Sequence, residues 1–293
     1  MKQTDSLQRF MFERAAVRGE IIHLDATWKV VLERREYPPA LRVLLGELMA
    51  AAALLSATLK FTGSLIMQIQ GDGPVKLLVV ECGADLIMRA MAHWEGDLAE
   101  NMGLFDLVGE GRFVMTIDPK KGKKTYQSIV DLEGDNVAEV LENYMRRSEQ
   151  IDTRIWLASD DNGAAGLLLQ KLPDSPETDE DAWNRAVHLG TTVKSRELLD
   201  LPAREIIHRL FHEEDIRLFD SSPVSFGCTC SRERVTNTLR MLGYAEVRSL
   251  LEDTGYIEAD CEFCNQHYVF DAVDTEQIFA SSDVASPSSN TRH

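Results

Sequence analysis

The alternation of apolar and polar positions predicts a mixture of strands and helices over the first 172 residues. Period-two patterns at 20–24 and 64–70 predict strands, and an alanine-rich apolar run at 48–59 lies in a helix predicted from about residue 40 to 60. Strand pairs that flank short polar turns at 118–124 and 160–163 predict hairpins. Residues 1–172 are therefore expected to form an α+β domain with a mostly antiparallel sheet and helices.

The pattern changes after residue 172. Residues 173–181 contain five acids, two prolines and no base, which is typical of a linker. Helical spacing then continues to residue 220, with an apolar face too short to bury itself. We predict an acidic and then helical metastable linker over 173–220, a small module over 221–280 and a disordered Ser-rich tail over 281–293. The apolar face of the linker carries three pairs of side chains: Leu198 and Leu199, Ile206 and Ile207, and Leu210 and Phe211.

Composition narrows the class of protein. The 293 residues include 31 basic and 48 acidic side chains, for a net charge of −17, and 44% are hydrophobic. That apolar content supports a sizeable core, and the charge argues against nucleic acid or an anionic membrane as a partner. The N-terminal residues lack the apolar stretch of a secretory signal, and the run at 48–59 is shorter than a membrane span. A cytoplasmic protein is expected.

Five cysteines carry the clearest chemical signal. Four of them form a C-x-C pair and a C-x-x-C pair separated by 30 residues: Cys228, Cys230, Cys261 and Cys264. Two close pairs of thiolates suit the tetrahedral preference of Zn²⁺, although four thiolates also accept iron. The fifth, Cys82, lies in an apolar run and is expected to be a buried structural residue. Because the module around the four cysteines has little apolar material, the metal is expected to contribute much of its folding free energy.

Several functions remain open at this point. The metal site could be purely structural, whereas a C-x-C disulfide would close a small strained ring, and strained disulfides are labile and regulatory. Residues 221–280 hold four arginines against ten acids, the wrong balance for nucleic-acid binding. Thiol oxidoreductase chemistry is weaker still, because the C-x-x-C lies between predicted strands. His208, His212 and His267 are weaker metal candidates, and without a catalytic motif we expect no enzyme.

The arrangement C-T-C…C-E-F-C resembles that of the 33 kDa chaperonin family (heat shock protein 33). The resemblance covers nearly the whole chain except the Ser-rich tail, and the cysteine spacing is its most specific part. Further matching features are Arg18-Gly19-Glu20, Tyr37-Pro38-Pro39, Gln70-Gly71-Asp72-Gly73-Pro74 and the acidic linker.

The resemblance implies a redox-regulated, ATP-independent holdase that binds unfolding proteins under oxidative stress. It implies that Cys228, Cys230, Cys261 and Cys264 bind one zinc ion in an inactive, monomeric, reduced form. Under oxidant, Cys261–Cys264 and Cys228–Cys230 would become disulfides, zinc would leave, the linker would unfold, and an active homodimer would bind clients. Cys82 has no part in that switch. From the residues we add the hypothesis that the linker is bistable and that its three apolar pairs contact clients. The alternative is a constitutive zinc-stabilised adaptor without a redox switch.

Overall fold

The computed structural model describes residues 5–59, 61–119, 124–173, 179 and 181–280. The predicted tail at 281–293, most of the lysine-rich turn at 120–124 and most of the acidic run at 173–181 lie outside the described residues. The chain divides into two compact units, Met1–Gly227 and Cys228–His293, which are called unit 1 and unit 2 below.

The described part of unit 1 forms two sheets, of which the first is antiparallel throughout and the second is antiparallel except for one pair of strands. The strands are β1 Ser6–Phe12, β2 Val17–Leu24, β3 Gly63–Gly71, β4 Val75–Gly83, β5 Ile87–Trp94, β6 Gly111–Pro119, β7 Tyr126–Asp131, β8 Thr153–Ser159, β9 Ala164–Lys171, β10 Ile216–Leu218, β11 Ser222–Pro223 and β12 Ser225–Phe226. The first sheet has the order β10-β1-β2-β9-β8, with β11 also paired to β1. The second has the order β12-β5-β4-β3-β6-β7, in which the β12–β5 pair is parallel. The predicted α+β class and both predicted hairpins, β6–β7 and β8–β9, are confirmed.

Seven helices are described in unit 1. They are α1 Ala26–Arg34, α2 Pro39–Thr58, α3 Leu104–Val108, α4 Val137–Arg147, α5 Ala182–Gly190, α6 Ser195–Asp200 and α7 Ala203–Phe211. The long helix α2 begins with proline in its first turn, where the missing N–H costs nothing. Among the described residues, α2 has the length and apolar composition of a membrane span, but 78% of its apolar window is buried inside the protein. It is the central helix of the main hydrophobic core and packs on strands of both sheets.

The helices α5, α6 and α7 cover the other face of the first sheet. A second hydrophobic core forms there, and it includes Phe10 and Phe12 from β1 and Phe211 from α7. The Phe211 ring lies 5.2 Å from the Phe12 ring, edge to face, and 5.8 Å from the Phe10 ring. The sheet supplies a polar contact as well, because Nε2 of buried His23 donates a hydrogen bond to the Leu198 carbonyl at 2.9 Å. The segment predicted as a helical linker is therefore docked on the sheet in this structure.

Unit 2 is small and has a correspondingly small core. Its elements are α8 Arg232–Leu242, α9 Tyr244–Thr254, β13 Ile257–Asp260, β14 His267–Phe270 and α10 Ala272–Ala280. Strands β13 and β14 pair as an antiparallel hairpin. Among the described residues, the core consists of five buried apolar side chains: Leu239, Val247, Ile257, Phe270 and Ile278. A core of this size gives little hydrophobic stabilisation, so unit 2 needs a further source of folding free energy.

Candidate metal centre

Local structure places two cysteines just before a helix. Cys228 and Cys230 lie in the irregular segment that leads into α8. Ser231 begins the helix as its N-cap, because its hydroxyl accepts a hydrogen bond from the Arg234 backbone N–H at 3.2 Å. The cap fixes where the helix starts and therefore fixes the C-x-C pair next to it.

The other two cysteines lie in the turn that joins β13 to β14. The Cys261 carbonyl accepts hydrogen bonds from the N–H groups of Cys264, at 3.2 Å, and Asn265, at 2.7 Å. Asn265 has a φ of 55°, in the left-handed region that asparagine tolerates better than most residues. The Cys261 N–H in turn donates to the Gln266 carbonyl at 3.0 Å. This tight turn directs the two C-x-x-C side chains to the same place.

The four thiols converge on one point. All four sulfur atoms lie within 4.8 Å of one another. Across the two pairs, Cys228 Sγ is 3.6 Å from Cys261 Sγ, and Cys230 Sγ is 3.3 Å from Cys264 Sγ. A tetrahedral Zn²⁺ site with bonds of about 2.3 Å has sulfur–sulfur edges of about 3.8 Å. The observed separations are compatible with such a site after small side-chain rotations, so these residues fit a metal such as zinc.

Burial affects the protonation of these sulfurs. Burial raises the pKa of Cys264 to about 12, and burial likewise raises the pKa of Cys261. Both thiols are therefore neutral at physiological pH in the protein alone. Metal binding requires thiolates, and a divalent cation among the four sulfurs offsets the cost of removing their protons.

Neighbouring side chains support the cluster from β14 and α10. The Tyr268 hydroxyl donates a hydrogen bond to Cys230 Sγ at 3.2 Å. The Arg232 guanidinium lies 4.2 Å from the centre of the Phe270 ring and donates to the Asp274 carboxylate at 2.7 Å. These contacts join the start of α8 to the second strand of the hairpin. The sequence singled out the cysteines but not Tyr268, because a lone tyrosine in a strand has no recognisable pattern.

The weaker candidates do not join the metal site. His267 makes its contact with the Asp260 carboxylate, at 2.7 Å, which raises the pKa of His267. His208 on α7 and His212, just after its end, are exposed, with ring centres 6.0 Å apart. Cys82 is fully buried in β4, and burial raises its pKa to about 12. In the part of the chain that the structure describes, the cluster of potential metal ligands consists of the four C-terminal cysteines.

The linker residues proposed to contact clients lie against the first sheet. Five of the six are buried and one is partly buried: Leu198, Ile206, Ile207, Leu210 and Phe211, with Leu199 at the edge. The five buried side chains are inaccessible in this conformation. Any role in client binding requires that helices α6 and α7 leave the sheet.

Comparisons with known proteins place these features in a family. The family model described as Hsp33 protein matches residues 5–271. The 33 kDa chaperonins of Methylobacillus flagellatus and Chromobacterium violaceum are each 52% identical over 295 aligned residues, covering 100% of this chain and 100% and 99% of the relatives.

The fold comparison agrees with the sequence comparisons. The crystal structure of the 33 kDa chaperonin (heat shock protein 33 homologue) of Thermotoga maritima has a TM-score of 0.83 with this chain, covering 96% of it and 99% of that structure. At 21% identity this similarity shows the fold. The names of these relatives point to a chaperone rather than an enzyme. The full-length matches show that this chain, with four clustered cysteines suited to a metal such as zinc, belongs to the Hsp33 family of 33 kDa chaperonins.

Proposed function

We propose that this protein is a cytoplasmic, redox-regulated and ATP-independent holdase that keeps unfolding proteins from aggregating under oxidative stress. The observation that carries the proposal is the convergence of all four C-terminal cysteines in a unit whose described core has five buried side chains. A unit built in this way depends on the oxidation state of its sulfurs. The buried apolar face of α6 and α7 supplies surface that can be exposed in response.

The reduced state holds the metal. Cys228, Cys230, Cys261 and Cys264 would bind one Zn²⁺, which supplies a positive charge that keeps the sulfurs ionised and cross-links two distant parts of the chain. Tyr268 and the backbone N–H groups of the 261–266 turn orient the sulfurs. Since such a site contributes folding free energy directly, unit 2 is stable only while the four sulfurs remain reduced.

Oxidation removes the ligands. Cys261 and Cys264 would form one disulfide and Cys228 and Cys230 the other. In each pair the two thiolates lose two electrons and form the S–S bond, and one hydrogen peroxide takes up those electrons and two protons from solvent to give two water molecules. Hypochlorite would instead be reduced to chloride and one water. With both pairs oxidised, no thiolate remains to bind the metal, and unit 2 loses the stabilisation that its small core cannot replace.

The polypeptide connects this change to the linker. Residues 212–227 join the end of α7 directly to Cys228, and part of them forms the short strands β10, β11 and β12. We propose that unfolding of unit 2 weakens the attachment of this segment and that α6 and α7 then leave the first sheet. Their release exposes the apolar side chains on α6 and α7 and on the face of the sheet that they cover, including Ile206, Phe211 and Phe10. These surfaces would bind unfolded clients and a second copy of the oxidised chain.

The net charge of −17 agrees with this role in two ways. It disfavours nucleic acid and anionic membranes as partners, as the sequence predicts. It also keeps a chaperone with newly exposed apolar surface, and the client bound to it, in solution through mutual repulsion.

Light scattering from a heat-denaturing client enzyme tests the proposal. The full chain is supplied either reduced and zinc-loaded or treated with hypochlorite, and a variant with serine at all four cluster positions, with Cys82 intact, controls for oxidation elsewhere. We expect suppression of scattering by the oxidised wild-type chain and not by its reduced form. Hypochlorite treatment should leave the aggregation behaviour of the serine variant unchanged. Equal suppression by the reduced and oxidised wild-type chain would favour a constitutive zinc-stabilised adaptor.

A further inference from the structure

The sulfur atoms of the metal centre receive different hydrogen-bond donors. The Cys261 sulfur accepts hydrogen bonds from the backbone N–H groups of Phe263 and Cys264, and the Cys264 sulfur accepts one from the N–H of Gln266. All of these donors belong to the same turn as the sulfurs that they serve. Cys230 instead receives the Tyr268 hydroxyl at 3.2 Å, from a side chain on a separate element. A single substitution can remove this donor without altering the turn.

The hairpin register fixes Tyr268 over the cluster. In the β13–β14 pairing Tyr268 lies opposite Ala259, and its neighbour His267 lies opposite Asp260, the residue before Cys261. Because directly paired residues share a face of the hairpin, the Tyr268 ring has the small side chain of Ala259 as its cross-strand neighbour. Tyr268 is thus held on the element that also carries the C-x-x-C pair, while its hydroxyl reaches the C-x-C pair.

A hydrogen bond to a thiolate lowers its reactivity. The electron pair that accepts the tyrosine O–H is also the one that attacks an oxidant, so the bond must weaken as the attack proceeds. Hydrogen bonds to metal-bound sulfur likewise withdraw electron density from the ligand. A tyrosine hydroxyl remains protonated at neutral pH and donates the bond throughout. The effect is confined to the sulfur that accepts the bond.

We propose that Tyr268 is a positioning residue that slows the oxidation of Cys230 and so sets the oxidant threshold for the Cys228–Cys230 disulfide. This inference rests on the proposed function. In the step concerned, the Cys230 sulfur attacks one peroxide oxygen, the O–O bond breaks, and hydroxide leaves and takes a proton to become water. The Cys228 sulfur then attacks the Cys230 sulfenic acid, forms the S–S bond and releases a second water.

Tyr268→Phe removes the hydroxyl and keeps the ring. Loss of one hydrogen bond to sulfur should accelerate the oxidation of Cys230 about twofold to tenfold. Tyr244→Phe is the matched control, because the Tyr244 hydroxyl in the same unit donates to the Glu276 carboxylate at 2.7 Å and not to sulfur. The reduced, zinc-loaded full chain is mixed with hydrogen peroxide and quenched at intervals with an alkylating agent. Tandem mass spectrometry then reads the free thiol fraction at each cysteine separately.

The expected result is faster loss of free thiol at Cys230 in the Tyr268→Phe variant, with a smaller change at Cys264, and wild-type rates in Tyr244→Phe. Unchanged rates at Cys230 would overturn the proposal. Equal acceleration at all four cysteines would also overturn it, because that pattern indicates general loosening of unit 2. Zinc per chain is measured before oxidation, and a Tyr268→Phe chain that no longer holds zinc would assign the hydroxyl to metal retention instead.

The kinetics need no client protein, which separates this inference from the proposed function. If the oxidised wild-type chain fails to suppress client aggregation, the proposed function fails, while the site-resolved rates still report on Tyr268. If the wild-type chain is an oxidation-activated holdase and the cysteines of Tyr268→Phe oxidise at wild-type rates, only the inference about Tyr268 fails.

Discussion

Substitution of Phe211 by alanine should activate the protein without any oxidant. Phe211 ends α7, is 1% exposed, and packs against the rings of Phe10 and Phe12 on the first sheet. Truncation of a buried phenylalanine to alanine costs about 3–5 kcal/mol, through lost burial and the cavity left behind. If that loss falls on the attachment of α7 to the sheet, the population of released linker rises by roughly 100-fold to 1,000-fold or more, at about 1.4 kcal/mol per factor of ten.

The assay compares reduced, zinc-loaded chains only. Phe211→Ala should suppress the scattering of a denaturing client enzyme, and its linker should be cut faster by a protease than the linker of the wild-type chain. Phe105→Ala is the matched control, because it makes the same chemical change at a side chain of unit 1 that is 50% exposed. Zinc content confirms that the metal centre is intact in all three chains. A linker that becomes protease-sensitive in Phe211→Ala without any gain in client binding would refute the reasoning, because release of the linker would then not be sufficient for client binding.

Three further predictions concern metal, pH and the fifth cysteine. Removal of the metal from the reduced chain with a chelator should reduce the far-UV circular dichroism signal through loss of α8–α10, and zinc should restore it. An unchanged spectrum would mean that the small core of unit 2 keeps it folded without metal. Burial raises the pKa of Glu47 to about 7, so the folded state retains a proton that the unfolded state releases above about pH 4.5, and stability falls as pH rises between these values. Glu47→Gln should therefore increase the free energy of unfolding in urea at pH 8 by on the order of 1–3 kcal/mol and change it little at pH 4.5. An equal effect at both pH values would contradict this prediction. The control is the same substitution at an exposed glutamate, Glu246→Gln. Burial raises the pKa of Cys82 to about 12 and keeps the thiol neutral, so the four clustered cysteines of a Cys82→Ala variant should oxidise at the wild-type rate. Slower loss of free thiol at the cluster, followed by alkylation, would implicate Cys82 in the switch.

Features that depend on short stretches of sequence were predictable. Helix α2 follows from an apolar run that begins after two prolines, and the β8–β9 hairpin follows from two apolar strands around Asp160-Asp161-Asn162-Gly163. The signal from the four clustered cysteines is equally local, because the spacing within each pair is fixed along the chain. In these cases the physical cause lies within about twenty residues, where a pattern can be read directly.

Features that depend on distant pairing were not predictable. The sequence indicates mostly antiparallel pairing, which the structure confirms, but it does not indicate that the described strands of unit 1 divide into two sheets. Strands β10, β11 and β12 are two or three residues long, and they form because β1 and β5 offer free edges, as in the pairing of Phe10 with Leu218. Nothing in residues 216–226 alone indicates those partners.

Two contacts near the proposed switch were missed for the same reason. The contact of Tyr268 with Cys230 depends on the β13–β14 register, and the bond from His23 to the Leu198 carbonyl joins residues 175 positions apart. His23 is buried with its Nδ1 atom unpartnered, and burial lowers its pKa, so it holds α6 as a neutral side chain. Contacts of this kind appear only once the fold has brought the two elements together.

Hydrogen exchange of residues 182–211 in the full chain, before and after peroxide treatment, tests the central claim most directly. The account predicts slow exchange in α6 and α7 while zinc is bound, and exchange close to that of an unfolded peptide once both disulfides have formed and zinc has left. Slow exchange that persists in the fully oxidised, zinc-free chain would contradict the account, because the sulfur chemistry would then have no effect on the linker.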